Sequence, residues 1–272
     1  SLFAQDFIPY FDELQPEFAA RMKMNSIKFM TVEAFKADKN HAPVSNESFW
    51  KETYEFNAEG KLVKLTSFNT EWQLTRKIEY AYNKAGEVQN IFETETTGTG
   101  NDAVTTTVTF FINRKDGKIN FIDRFEKGNQ HPSGAVTNKY LYSYDDNGAL
   151  AMVTDSSISD GNYTNPSAYY HYANGILVKK THPNYTITYE FNKAGLPVKE
   201  FMEMLSSTYV TTKDYDAMGN LLVSVTEGEV FALEISNEID PAGLVTTTKR
   251  TFTSKTGGTP EYEVNQYFYT RF

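Results

Sequence analysis

The sequence predicts an all-β protein: an antiparallel meander of about eighteen strands, forming a barrel or a curled sheet behind a short N-terminal helix. Three observations predict it. A turn signature of the form Asx-x-x-Gly recurs in eight versions between Phe56 and Val245. Large apolar or aromatic residues alternate with polar ones before each turn, which is the period of a half-buried strand. An aliphatic residue stands two places after most of the turn glycines, where a short hairpin brings it opposite the aromatic.

Residues 1–21 form a helical segment of their own. Phe3, Phe7, Tyr10, Phe11, Leu14 and Phe18 recur at spacings of three and four, and Pro9 and Pro16 break the pattern. The expected role is a cap or plug for the sheet. Residues 22–272 then read as a single β-hairpin-repeat domain. Met22–Phe35 alternates like a strand, and Lys36–Glu47 reads as a polar loop around Pro43.

The hairpins follow in order. Their turns are Asn57-Ala-Glu-Gly60, Asn83-Lys-Ala-Gly86, Asp145-Asp-Asn-Gly148, Asn192-Lys-Ala-Gly195, Asp216-Ala-Met-Gly219 and Asp240-Pro-Ala-Gly243. The turn at Asn113–Gly117 is one residue longer, and the turn at Tyr172–Gly175 is shorter. Asp or Asn bonds its own turn backbone, and glycine supplies the positive φ of a type I turn closed by a bulge. The aromatic pairs before the turns are Tyr54/Phe56, Tyr80/Tyr82, Phe110/Ile112, Tyr142/Tyr144, Tyr170/Tyr172 and Tyr189/Phe191. Leu62, Val88, Ile119, Leu150, Leu177 and Leu221 follow the glycines. Thr94–Val104, Glu126–Val136 and Asp155–Ala168, rich in Gly, Asn, Ser and Thr, read as long connections on the opposite rim. Glu261–Arg271 supplies the last strand.

Open sheets rarely exceed about ten strands, so closure, coiling or folding into two layers is required. Tight turns at one rim and long loops at the other are the porin plan, and the chain ends in Phe272 as many outer-membrane barrels do. Against a lipid-facing wall stand Lys64, Asn90 and Lys179, which share strand faces with apolar neighbours.

Composition narrows the function. Aromatic residues reach 15%, with 18 Tyr and 20 Phe, a bias that suits a modest core between wet faces. The net charge of −9 repels phosphate backbones, so nucleic acid is a poor partner. The absence of cysteine excludes disulfides, thiol nucleophiles and cysteine-ligated metals. No apolar run is long enough for a transmembrane helix.

The unit Tyr142-Ser-Tyr-Asp-Asp-Asn-Gly148-Ala-Leu150 resembles the YD or Rhs-type repeat of bacterial surface and toxin-encapsulating proteins. In length and in its single helical segment the chain is also similar to Bacteroidetes secreted lipoproteins described as having a porin-like fold. That resemblance implies a periplasmic or cell-surface location through a lipid anchor upstream of Ser1. It implies no catalytic residues.

A search for chemistry finds little. His41, His131, His171 and His182 lack the spacing of a metal site or triad. His171 falls on the face opposite the tyrosines, and His131-Pro and His182-Pro read as loop turns. Asp145-Asp-Asn-Gly148 lacks the later ligands of a calcium loop. Glu93 and Glu95 share a strand face and read as a solvated strand end. Gly98-Thr-Gly100 lacks the helix that phosphate binding needs. Trp50 and Trp72 flank the first hairpin; Trp72, in the Asn69–Leu74 connection, and Tyr163, in another loop, are the candidate ligand-binding aromatics.

The expectation is a non-enzymatic secreted or surface-anchored binding protein, monomeric, without cofactor or metal. It meets a glycan or protein at its long-loop rim. The alternative is a carrier that holds a lipid or hydrophobic molecule in a barrel lumen, and a third reading is an outer-membrane pore. The carrier requires an open apolar cavity, whereas a lumen packed shut opposes it.

Overall fold

The computed structural model describes residue 14 and residues 16–98, 102–159, 162–174 and 176–272, without the side chains of 16, 17, 159 and 162–167. Phe3, Phe7, Tyr10, Phe11, Gly100 and Gly175 therefore lie outside the described residues. One helix, α1 (Pro16–Met24), precedes β1 (Ile27–Ala37). Four hairpins follow: β2 (Trp50–Phe56) with β3 (Leu62–Phe68), β4 (Leu74–Tyr82) with β5 (Val88–Thr97), β6 (Val104–Lys115) with β7 (Lys118–Lys127), and β8 (Ala135–Tyr144) with β9 (Leu150–Ser159). Four more complete the series: β10 (Asn162–Ala173) with β11 (Ile176–His182), β12 (Tyr185–Phe191) with β13 (Pro197–Met204), β14 (Thr208–Tyr215) with β15 (Leu221–Glu227), and β16 (Phe231–Ile239) with β17 (Val245–Ser254). The last strand is β18 (Glu261–Arg271).

Every strand pairs antiparallel with the next, and β18 returns to pair with β1 from Ile27–Arg271 to Ala37–Tyr262. The sheet is a closed eighteen-stranded barrel. Closure leaves no unpaired edge, which resolves the choice between barrel and curled sheet.

The hairpin turns have the geometry their residues dictate. In the Gly148 turn, Asp145 Oδ1 accepts from the amides of Asn147 and Ala149 at 3.0 and 2.9 Å, and Gly148 has φ +78°. A register shift at Ser143/Tyr144 then opposes Tyr144 to Leu150, and the same bulge places Phe56 opposite Leu62 and Tyr82 opposite Val88. Two turns differ from the expectation. Lys115 pairs with Lys118 and Ala173 with Ile176, so these loops are two residues long. Asp116 and Gly117 both have positive φ, at 53° and 76°, the arrangement that follows strand twist in a two-residue hairpin.

Adjacent hairpins are latched at this rim. The hydroxyls of Tyr82, Tyr144, Tyr215 and Tyr269 donate to the carbonyls of Leu62, Ile119, Pro197 and Val245 at 2.6 to 2.8 Å. Each acceptor lies two residues past a turn glycine. Burial also raises the hydroxyl pKa of Tyr82 and Tyr269 far above the usual range, keeping them protonated donors. Lys61 and Lys118 reinforce two of the latches: each ammonium reaches the carbonyl of the next turn glycine, Gly86 or Gly148, and lies over the latch tyrosine's ring.

Two sequence expectations are corrected. Met22 belongs to α1, not to the first strand; it turns inward and is 2% exposed. Glu126–Val136 is a connection at residues 128–134, as expected. Asp155–Ala168, however, is largely strand, with Asp155 paired to Ala168, and Thr94–Val104 is strand at Thr94–Thr97, where Thr94 pairs with Thr107 and Thr96 with Thr105. Their Thr and Ser content reads as loop by polarity, but β-branched threonine suits a solvated strand face. A longer connection on that rim, residues 38–49, folds back so that His41 bonds Thr251 and packs edge-on to Tyr262.

At nine residues α1 is too short to stand alone. Pro16 suits its first turn, Arg21 and Lys23 its last, and Asn25 Nδ2 caps the Arg21 carbonyl at 3.0 Å. Phe18 packs on Phe56 with ring centroids 5.7 Å apart. The helix lies across the turn-rim end of the interior, close enough to Gly60 that a Cβ there would meet the Ala19 carbonyl at 2.3 Å.

The interior is filled on one side only. Ile78, Ile91, Ile122 and Val153 are fully buried and join Tyr80, Phe110, Tyr140 and Tyr170 in one core. From His171 to Gly219 no described residue is buried to that degree, although the strands of this stretch belong to the same closed sheet. The outer face carries ion pairs such as Glu33–Lys51, Lys77–Glu79, Asp123–Lys139 and Glu238–Lys249. That face also exposes Phe92, Phe111 and Leu141, and the inner face holds ion pairs of its own, Arg76–Glu93 and Lys213–Glu200.

Candidate functional site

The half-filled wall holds the candidate site. Strand register identifies the face: Tyr142, Val153, Tyr170, Lys180, Ile187, Met202 and Tyr209 are successive directly opposed partners across β8 to β14. Val153 and Tyr170 are core residues, so the rest of the row faces the lumen as well. Around its far end is a pocket of about 270 Å³ lined by Ile187, Glu200, Met202, Met204, Tyr209, Thr211, Thr226 and Phe231.

The pocket lies where β12 to β16 end at the loop rim. Short connections leave its lip low. Leu205, on the β13–β14 connection, is 92% exposed; Val230, on the next, and Met204 and Phe252 are also exposed. Tyr209, Phe231 and Phe252 form an aromatic run, with centroids 5.2 and 5.5 Å apart along it. The apolar lining sits above a polar floor. Thr211 and Thr226 share a hydrogen bond of 2.8 Å, and the Glu200 carboxylate is paired with the Lys213 ammonium. Burial, and next the Glu200 carboxylate, raises the pKa of the neighbouring Tyr215 hydroxyl. Every charge on this floor already has an opposite partner, so the open part of the pocket is apolar. In size it falls between a cavity that holds benzene and a drug-sized site.

The aromatics singled out by sequence lie elsewhere. Trp72 is 53% exposed on the outside of the rim, with the Lys51 ammonium 5.0 Å from its ring centroid. Its connection is another copy of the hairpin turn: Asn69 Oδ1 accepts from Glu71 and Gln73, and Trp72, at φ 59°, occupies the glycine position. A bulky residue in that region is strained. Tyr163 is not in a loop; it belongs to β10 and pairs with Ile158, and its side chain lies outside the described residues. Five strands, β5 to β9, lie between β4 and β10 around the barrel, so the two residues stand on different parts of the wall. Trp50 turns inward and packs on the core.

The remaining sequence candidates resolve as structure. Glu93 is not a solvated strand end; it faces inward and pairs with Arg76 at 2.6 Å. His182 ends β11, paired and stacked with Tyr185 at 4.6 Å, rather than belonging to a loop. His171 stacks on Tyr169 on the outer face. Among the described residues no group of three His, Asp or Glu side chains converges as metal ligands would. The pocket itself went unread in the sequence. Its signal was the alternation of Met202 and Met204 before Leu205, because unbranched methionine suits an adaptable apolar wall.

The chain matches no protein-family model and no curated protein. Among solved structures it is similar to a porin-like protein from Bacteroides uniformis, at 10% identity and a TM-score of 0.43, over 90% of this chain and 98% of that one. It is also similar to a porin-like protein from Bacteroides vulgatus, at 12% identity and a TM-score of 0.29, over 74% and 96%. A third likeness, with 11% identity and a TM-score of 0.29, is to a structure of TcdB2-TccC3-TEV, over 85% of this chain and 15% of that one. At these scores the likenesses bring no residue, ligand or activity to this chain.

Proposed function

We propose that the protein is a non-enzymatic binding protein that takes the apolar part of a small molecule into the loop-rim end of its lumen. The observation that carries this reading is the pocket between β12 and β16, apolar at its mouth and charge-balanced at its floor. It lies in a lumen wall that the core leaves unfilled, whereas the opposite wall is packed shut. Of the functions the sequence leaves open, the carrier therefore fits best. A pore fits least, because a lipid-facing wall is apolar and this outer wall bears ion pairs. A secreted or cell-surface location belongs to the same reading and rests on the resemblance of the repeat.

Decanol, titrated calorimetrically into the intact chain, should bind saturably at one site. Met202→Trp, which fills the pocket, and Met204→Lys, which places a charge on its lip, should each weaken that binding at least tenfold. Unchanged affinity in both variants, or no saturable binding by the parent protein, would sink the proposal.

Glycan contact at the rim is a second reading, favoured by Trp72. An exposed indole held at positive φ, where the turns at Gly60, Gly86, Gly148, Gly195, Gly219 and Gly243 use glycine, is a feature that stability alone does not select.

A further inference from the structure

Resting on the pocket reading, we infer that the ligand is an anionic amphiphile: an unbranched acyl chain that ends in a carboxylate. Lys180 is the residue that selects it. It directly opposes Ile187, which lines the pocket, and both face the lumen. Its ammonium lies 5.1 Å from the Tyr170 ring centroid and 5.4 Å from that of Tyr185. Tyr185 in turn opposes Met204 on the pocket's lip, so cation and apolar wall form one continuous surface.

The charge on this surface is unbalanced. Lys213 is neutralised by Glu200, while Lys180 makes no ion pair with any carboxylate among the described residues. Two aromatic faces hold the ammonium in place and leave its hydrogen-bond donors unused by them. In a protein of net charge −9, a lone cation beside an apolar lumen pocket is a specific attraction for a negative head group. An alkyl chain in the pocket would bring its head across β12 to Lys180, where a charge-assisted hydrogen bond forms in a partly dried lumen.

The test compares decanoate with decanol, which share a chain length and differ in head charge, on the intact protein. Decanoate should bind about tenfold or more tightly than decanol. Lys180→Met should abolish that preference, and Lys180→Arg should retain it. Equal affinities for the two ligands, or a preference that survives Lys180→Met, would overturn the head-group assignment while leaving the pocket reading intact. Failure of both ligands to saturate would overturn the two readings together.

Discussion

Tyr144 ends β8, and its hydroxyl donates to the Ile119 carbonyl of the preceding hairpin at 2.8 Å. The same bond recurs at Tyr82, Tyr215 and Tyr269, so tyrosine at this position joins hairpins, and phenylalanine at the equivalent Phe56 and Phe191 contributes packing alone. Tyr144→Phe should therefore cost about 1–2 kcal/mol, because the carbonyl is left without its partner. Urea denaturation should show a lower midpoint with an unchanged slope. Trp72 tests the opposite case, a side chain that costs stability where it stands. The left-handed conformation costs about 1–2 kcal/mol, and an exposed cation–π contact with Lys51 returns about 0.5–1 kcal/mol. Trp72→Gly should raise stability by about 0.5–1 kcal/mol in the same assay. A loss of stability instead would make Trp72 a structural staple and remove the ground for a glycan platform.

At the scale of elements, the turns are alike in local geometry and unlike in surroundings. Gly60 and Gly195 have nearly the same φ, +76° and +80°. A Cβ at Gly60 would meet the Ala19 carbonyl and the Lys23 amide of α1 at 2.3 and 2.5 Å, whereas at Gly195 nothing lies within 4 Å. Gly195→Ala should cost only the strain of a left-handed residue, about 1–2 kcal/mol. Gly60→Ala should cost more, by about 1–3 kcal/mol, since backbone of α1 has to move. Thermal denaturation followed by circular dichroism compares the two. Equal losses would mean that α1 does not bear on the β2–β3 turn. The helix illustrates why boundaries escaped the sequence. Ile27, Phe29 and Thr31 signal a strand, but Met22 is apolar in either setting, and only its inward position in α1 assigns it.

For the whole molecule, the sequence by itself determined the hairpin, its turn chemistry and its repetition. Asx and glycine act within four residues, so their consequences need no tertiary context. Alternation likewise separated the two faces of the strands that lead into the turns, but not of those that leave them. The bulge turns Leu62, Val88 and Leu177 inward and Lys64, Asn90 and Lys179 outward, so these pairs do not share a face as strict alternation implied. The strand total follows from the hairpins plus β1 and β18. Tertiary structure decided three things. Closure depends on the pairing of β1 with β18, residues more than two hundred positions apart whose patterns would also suit two edge strands. The length of the loop rim depends on partners, because the threonine tracts of β5 and β6 are strand only when they face one another. The site depends on both. Ile187, Tyr209 and Phe231 alternate like any other hairpin residues, and nothing local distinguishes them from Ile78 or Ile122. Whether an inward apolar side chain becomes core or pocket is set by what stands across the lumen, and that is a property of the closed barrel rather than of any segment.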